Sequence, residues 1–203
     1  MARRSAPEVN AGSMADIAFL LLIFFLVTTT IESDKVISRR LPPIQEDQQT
    51  EVHKEKNVFK IIVNKGGDLL VQDNPMKFDD LRDAVEDFID NGGGSGKQAC
   101  SYCQGSRDPD SSENPKKALV SLTYDRQTKF GIYMAVQNEL LAAYNDVRNR
   151  LSRGLFGEDY TTMTQELKKT SDEGEKKNLK KKIKKVRELY PLNISEAKPE
   201  EVQ

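Results

Sequence analysis

A single carboxylate, Asp16, stands in an otherwise apolar segment, and its surroundings suggest proton chemistry. Residues 14–31 are eighteen in number and carry no other charge. An ionised carboxylate inside a membrane costs about 2.5–3.5 kcal/mol on insertion scales, so such a group faces protein or water, or is protonated. A carboxyl group that is neutral when buried and charged when hydrated can carry a proton across an apolar layer.

The alternative for Asp16 is a structural one, in which its side chain caps the start of a helix near the membrane surface. Further polar side chains flank the apolar run. Hydroxyl groups at its far end would either bond back to helix carbonyl groups or line a hydrated path. The candidate residues for a proton path or for the polar helix ends are Asn10, Ser13, Thr28, Thr29 and Thr30.

The apolar segment itself is long enough to cross a bilayer once. Eighteen helical residues span roughly 27 Å, and spans are found from roughly 17 residues upward. We therefore predict a transmembrane helix over 14–31, following a short cytoplasmic tail, 1–13. The alternative is a cleaved signal peptide with Arg3 and Arg4 as its basic part, but Asp16 and the lack of an Ala-x-Ala site argue against it. Lys and Arg are balanced across the two ends, so the short N-terminus favours a cytoplasmic start.

The composition argues against several functional classes. The chain has 203 residues with 31 Lys and Arg against 32 Asp and Glu, for a formal net charge of −1. This balance argues against a nucleic-acid-binding protein, which is usually basic. One His and two Cys leave little material for a metal site. The sequence has no glycine-rich phosphate loop and no nucleophile elbow, so we expect neither a conventional enzyme nor a bound cofactor.

Residues 10–16, Asn-Ala-Gly-Ser-Met-Ala-Asp, followed by the apolar run, resemble the N-terminus of ExbD and TolR proteins, and ExbD most of all. Asn10 and Asp16 keep the family spacing, whereas Ser13 replaces the family proline. The resemblance implies a single-span subunit of a proton-driven motor in the inner membrane of a Gram-negative cell, with Asp16 as the proton-linked residue. It also implies an ExbB-like multi-span ring, a TonB-like protein and a second copy of the chain as partners. Such a motor energises the import of iron complexes and vitamin B12 across the outer membrane.

A second role in this family stays open. TolR-like proteins act as membrane-anchored modules that grip the cell wall. In that role Asp16 would be a helix cap, and a lysine-rich helix near the C-terminus would be the working surface.

The remainder of the chain is predicted to form a small α+β periplasmic domain with a sheet covered by helices on one face. An extended linker, 32–56, precedes the domain, 57–195, and a tail, 196–203, follows it. Alternating or β-branched apolar runs predict strands at 58–63, 69–72 and 118–124. Helical periodicity predicts helices over about 78–90, 129–152 and 176–190, with an ambiguous segment at 153–174 that could hold a short helix. A late strand is a candidate at 192–194.

The segment 91–115 is predicted to be a loop inserted into the domain, and it contains Cys100-Ser-Tyr-Cys103. Two cysteines at this spacing suit half of a zinc site, a redox motif or a local disulfide. Zinc would need two more ligands, and a redox site would need a helix N-terminus after a strand. In an oxidising periplasm, a disulfide between Cys100 and Cys103 that staples the loop is the favoured interpretation. Two thiols without a function are the remaining alternative.

The predicted helix at 176–190 carries eight basic residues between Lys176 and Arg187. Its apolar residues recur on one stripe, so the basic residues form a cationic face. Such a face would contact anionic lipid headgroups or an acidic partner, or would simply be solvated. The candidate surface residues are Lys180, Lys181, Lys184 and Lys185.

Overall fold

The computed structural model describes residues 11–28 and 54–197 of the chain. The chain divides into two compact units, Met1–Gln49 and Thr50–Gln203.

In the first unit the structure describes residues 11–28, which form the helix α1 (Ala11–Thr28). The apolar side chains of residues 14–25 are exposed on every side, including those of Met14, Ile17 and Phe25. In residues 11–28 and 54–197, none of the helices combines the length and the apolar character that crossing a membrane requires. The span predicted over 14–31 extends past the end of α1, and residues 29–31 lie outside the described ranges.

The second unit is built on a mixed five-stranded sheet. Its strands are β1 (Val58–Val63), β2 (Leu69–Val71), β3 (Asn74–Met76), β4 (Leu119–Tyr124) and β5 (Ile194–Ala197). They are arranged in the order β3-β2-β1-β4-β5. The first three strands form an antiparallel meander, whereas β4 is parallel to both of its neighbours, with Ile61 opposite Leu122 and Leu122 opposite Glu196.

The helices α2 (Leu81–Asp90) and α3 (Phe130–Phe156) cover one face of this sheet. Two further helices, α4 (Tyr160–Lys169) and α5 (Glu173–Leu189), pack against α3 and against each other. Along β1, Phe59, Ile61 and Val63 are buried while Lys60 and Ile62 are exposed, as expected for a strand with one covered face. The buried side chains pack against apolar residues of α2 and α3 in one core. The predicted α+β class is therefore confirmed.

The helices α4 and α5 form a second, smaller core. It consists of Tyr160, Met163, Leu179, Ile183 and Val186, with Leu151, Phe156 and Leu167 packed at its border. The N-terminus of α5 is capped by Asp172, whose carboxylate accepts a hydrogen bond from the Glu175 N–H at 2.8 Å. This pairing of an acidic cap with Glu three residues later resembles a capping box.

The structure differs from the sequence predictions at several boundaries. β3 contains Pro75 and was not predicted; it is tolerated because β3 is an edge strand. The late strand, predicted at 192–194, begins at Ile194 and ends at Ala197. Its last two residues lie in the predicted tail, 196–203. Residues Glu55–Asn57 form a 3₁₀ turn that belongs to the second unit, although the linker was predicted to extend to residue 56. The ambiguous segment contains α4.

Candidate functional site

Asp16 lies in the second turn of α1, three residues after Ser13. Residues three apart on a helix are neighbours on one face, so both polar side chains lie on the same side of α1. Asp16 is the single ionisable side chain in α1, and it is exposed in the described unit. It is therefore the one residue of this helix that could bind and release a proton.

The other candidate residues of the proton path are outside the side chains that the structure describes. Asn10, Thr29 and Thr30 lie outside residues 11–28 and 54–197, and the side chain of Thr28, the last residue of α1, is likewise not described. The polar far end of the predicted span stays a prediction.

Cys100 and Cys103 are joined by a disulfide, and both residues are buried. The disulfide packs directly on Gly92, which has a φ of 67°. A Cβ at Gly92 would lie 2.7 Å from Cys103 Cβ, closer than two carbon atoms can approach without a shift. The disulfide and Gly92 therefore form one close contact within the segment 91–115, directly after the end of α2.

Asn91 organises the rest of this segment from a buried position. Its Nδ2 donates to the carbonyl groups of Asp108 and Ser112 at 2.9 and 2.8 Å. Its Oδ1 accepts from the Ser106 hydroxyl at 3.0 Å and from the Asp108 N–H at 2.9 Å. All four polar contacts that this side chain can make are thus used to position the insertion.

Asp90 forms the centre of a buried polar cluster that sequence analysis did not predict. Its carboxylate accepts hydrogen bonds from Arg150 at 2.5 Å, from the Gln104 N–H at 3.1 Å and from the Tyr190 hydroxyl. Burial, followed by the hydrogen bond to Asp90, raises the pKa of Tyr190 well above its usual range. A carboxylate on an amphipathic helix is usually solvated, so the sequence contains no local signal for this cluster.

The same cluster connects the insertion with the end of α5. The Tyr102 hydroxyl donates to the Leu189 carbonyl at 3.0 Å, and the rings of Tyr102 and Tyr190 meet edge to face with centroids 5.4 Å apart. Arg148 is buried beside them and donates to the Tyr190 carbonyl at 2.7 and 2.9 Å. The insertion and the end of α5 are thus held against one another.

At the other end of the insertion, Glu113 forms ion pairs with lysine side chains. It lies 2.8 Å from Lys54 and 3.0 Å from Lys117, and its N–H donates to Asn57 at 2.8 Å. The hydrogen bonds from these lysines lower the pKa of the buried Glu113 carboxyl to about 2. Lys54 also connects the residues before β1 to the folded unit.

The lysines predicted as a surface lie on α5. Lys180, Lys181, Lys184 and Lys185 are all exposed, whereas Leu179, Ile183 and Val186 on the opposite side are buried. Lys185 also lies 5.9 Å from the centroid of the Phe156 ring. The cationic face is therefore present on one helix, although its ligand stays a prediction.

Residues 11–28 and 54–197 bring no three His, Cys, Asp or Glu side chains into a geometry that could hold a metal ion. The described residues offer an ionisable carboxyl group at Asp16, a buried disulfide in the insertion and a cationic face on α5.

Comparison with known families identifies a relationship over most of the chain. The family model described as biopolymer transport protein ExbD/TolR matches residues 2–151. The matched range includes α1 and the first four strands and ends inside α3, so α4, α5 and β5 lie beyond it. No curated protein gives a significant match. The resemblance predicted from residues 10–16 is thereby confirmed.

Proposed function

Because the chain belongs to the ExbD/TolR family of biopolymer transport proteins, we propose that it is a subunit of a motor driven by the proton-motive force in the inner membrane. In this proposal it works with an ExbB-like ring and energises a TonB-like protein, which opens outer-membrane importers for iron complexes and vitamin B12. The observation that carries the proposal is one ionisable residue, Asp16, in a helix that is apolar on every side.

The proposed membrane anchor is the whole segment 14–31, of which α1 contains residues 14–28. Support comes from the exposed apolar side chains around α1, because a helix that is apolar all round is stable only when protein or lipid covers it. The N-terminus would lie in the cytoplasm and the second unit in the periplasm. The Cys100–Cys103 disulfide supports this topology, because disulfides persist in oxidising compartments.

Asp16 would convert the membrane potential into movement. Moving one elementary charge through the field is worth about 2.3 kcal/mol per 100 mV, several times thermal energy. Protonation neutralises the carboxylate, and the charged and neutral forms of α1 prefer different surroundings. Cycling between the two forms shifts the population between two positions of the helix. The second unit, as a dimer, would pass this motion to the TonB-like partner.

The test compares Asp16→Asn, which is isosteric but not ionisable, with Asp16→Glu, which retains an ionisable carboxyl group. Each variant replaces the native copy in a strain whose growth depends on a scarce iron complex, and blots establish equal amounts of protein in the membrane fraction. Growth should be lost with Asn and partly retained with Glu. Asp73→Asn is the matched control, because Asp73 is exposed at a positive φ of 63°, which Asn adopts readily.

Wild-type growth of the Asp16→Asn strain would sink the proton mechanism. The membrane-anchored envelope module, gripping the cell wall as TolR-like proteins do, would then be the better account, with Asp16 as a helix cap. In that case we expect normal iron uptake in the Asp16→Asn strain. We also expect a defect in envelope integrity when the charges of the α5 lysines are reversed.

A further inference from the structure

The exposed side of α5 carries a dense positive charge that nearby Glu residues pair with only in part. Residues 176–187 include eight Lys or Arg and no Asp or Glu. The acidic residues of α5 lie at its two ends, in the first turn and at Glu188. The helix begins beyond the range that matches the family, so the proposed motor function does not account for this charge.

The apolar side of α5 is already occupied. Leu179, Ile183 and Val186 are buried in the second core against Tyr160 and Met163 of α4. Hence no apolar stripe of α5 remains for insertion between lipid chains or for a helix-in-groove contact. Any ligand of the outer side must be recognised through charge.

Four lysines form this outer side, which we call the α5 lysine face: Lys177, Lys180, Lys181 and Lys184. All four are exposed, and they line a shallow groove of about 470 Å³ together with Glu173 and Lys176. Lys184 approaches Glu188 only to 3.8 Å. Within residues 11–28 and 54–197, the structure gives no ion pair to Lys177, Lys180 or Lys181.

We propose that the α5 lysine face binds the surface of a bilayer that contains anionic phospholipids. Lysine ammonium groups are flexible point charges, whereas recognition of one fixed carboxylate or phosphate favours the planar fork of Arg. The only Arg of this helix, Arg187, is instead directed to the Tyr160 hydroxyl at 2.8 Å. The face also lacks aromatic side chains, which are enriched at the centre of protein interfaces and on which nucleobases stack.

A continuous anionic surface suits such a face, because it needs charge density and no fixed geometry. Each Lys close to an anionic membrane strengthens binding about fivefold, and the effect falls away within a Debye length. The bilayer is also close at hand under the proposed function, since an anchor at 14–31 tethers the unit and raises the effective concentration of lipid. Only this last step rests on the proposed function.

The test measures co-sedimentation of the full chain with lipid vesicles. A nonionic amphipol covers α1, so that binding does not depend on insertion of that helix. Vesicles with about 30% phosphatidylglycerol should bind the chain at least about tenfold more tightly than phosphatidylcholine vesicles. Raising NaCl from about 0.05 to 0.5 M should remove this difference, because the contact is purely electrostatic. Binding that is equal for both lipids would overturn the proposal.

Variants assign the binding to the face. Changing Lys177, Lys180, Lys181 and Lys184 together to Glu should lower binding to anionic vesicles by at least about tenfold. The matched control changes four exposed lysines elsewhere, Lys65, Lys77, Lys97 and Lys116, with the same change in net charge. If the control loses as much binding as the first variant, total charge and not the α5 lysine face is responsible, and the proposal is wrong.

Two further arms keep the result decisive. Circular dichroism checks that α5 is intact. If the fourfold variant unfolds, the milder pair Lys180→Gln and Lys184→Gln replaces it and should lose an intermediate amount of binding.

Inorganic phosphate is compared with chloride at equal ionic strength. Selective displacement by phosphate would show that the face binds single phosphate groups and would overturn the bilayer proposal. Binding does not involve Asp16, so Asp16→Asn should bind vesicles like the wild type even if the motor hypothesis fails.

Discussion

Single residues connect the irregular insertion to the regular part of the fold. Gly92 leaves room for the disulfide, and Asn91 donates hydrogen bonds to backbone carbonyl groups of the insertion. Glu113 forms ion pairs with Lys54 before β1 and with Lys117 after the insertion. Each position depends on one property of its side chain: absent volume, a buried amide or a buried charge. Substitutions there should therefore have effects that differ in kind.

Gly92→Ala should lower the free energy of unfolding by about 3 kcal/mol, because the new Cβ meets Cys103 Cβ at 2.7 Å and the φ is 67°. Thermal unfolding of the full chain in a neutral detergent, followed by circular dichroism, measures the change. Gly96→Ala is the control, since Gly96 has a φ of 57° but no atom within 4 Å of the added Cβ. It should cost about 1 kcal/mol. Equal costs for both variants would show that crowding by the disulfide plays no part.

Glu113 should make stability depend on acidic pH. Its pKa is lowered from 4.5 to about 2, so the unfolded chain binds a proton more readily than the folded one. The stabilisation is then complete above about pH 4.5 and is lost as the pH falls towards 2. Urea unfolding across this range should show a shallower decline for Glu113→Gln than for the wild type. Glu173→Gln, at a largely exposed carboxylate, should retain the wild-type profile; a parallel decline in Glu113→Gln would contradict the assignment.

At the scale of elements, the C-terminal helices form a layer with its own core. The second core contains residues of α4 and α5, whereas the first core is formed mainly by the sheet with α2 and α3. Contacts from Tyr102 and Arg148 to the end of α5 connect the two cores. We therefore expect the layer to open locally while the sheet stays folded.

Met163→Ala tests this local opening. Met163 is fully buried in the second core, and its truncation should cost about 3 kcal/mol. Hydrogen exchange of the full chain should accelerate at the amides of α4 and α5 and stay unchanged in β1 and β4. Thr162→Ala, at an exposed position of α4, should leave every segment unchanged. Equal acceleration in the sheet would mean that the two cores unfold as one.

At the scale of the whole second unit, the last strand along the chain, β5, completes the sheet. After α5 the chain returns to the sheet, and β5 pairs in parallel with β4 from Val120–Ile194 to Thr123–Ala197. Glu196 of this strand accepts hydrogen bonds from Gln137 at 2.8 Å and Tyr133 at 3.1 Å. The strand thereby covers the edge of β4 and fixes the start of α3.

Ending the chain after Asn193 should uncover the β4 edge. We expect a loss of about 2–4 kcal/mol of unfolding free energy from the missing hydrogen bonds, and association that increases with concentration, because open edges pair with other chains. Thermal unfolding and light scattering measure the two effects. Ending the chain after Ala197, which keeps β5, is the control and should match the wild type. Absence of both effects would show that β5 contributes little to closure.

The sequence alone determined the elements whose burial is periodic. The apolar run of β1, the strand that becomes β4 and the heptad-like spacing of α3 are local patterns, because a strand or helix buries one face at a fixed period. The isolation of Asp16 in an apolar segment is a local pattern as well. Asp16 and Asn10 together indicated the ExbD/TolR family, and the match to the family model includes both residues.

Only the tertiary structure decided how distant segments meet. Asp90 and Tyr190 are hydrogen-bonded although they lie 100 residues apart, and Tyr102 of the insertion reaches the end of α5. Such contacts depend on the path of the chain, so no local period records them. The short strands β3 and β5 were missed or displaced for the same reason: three or four residues carry too little pattern, and they become strands because a neighbouring strand offers unpaired hydrogen-bonding groups.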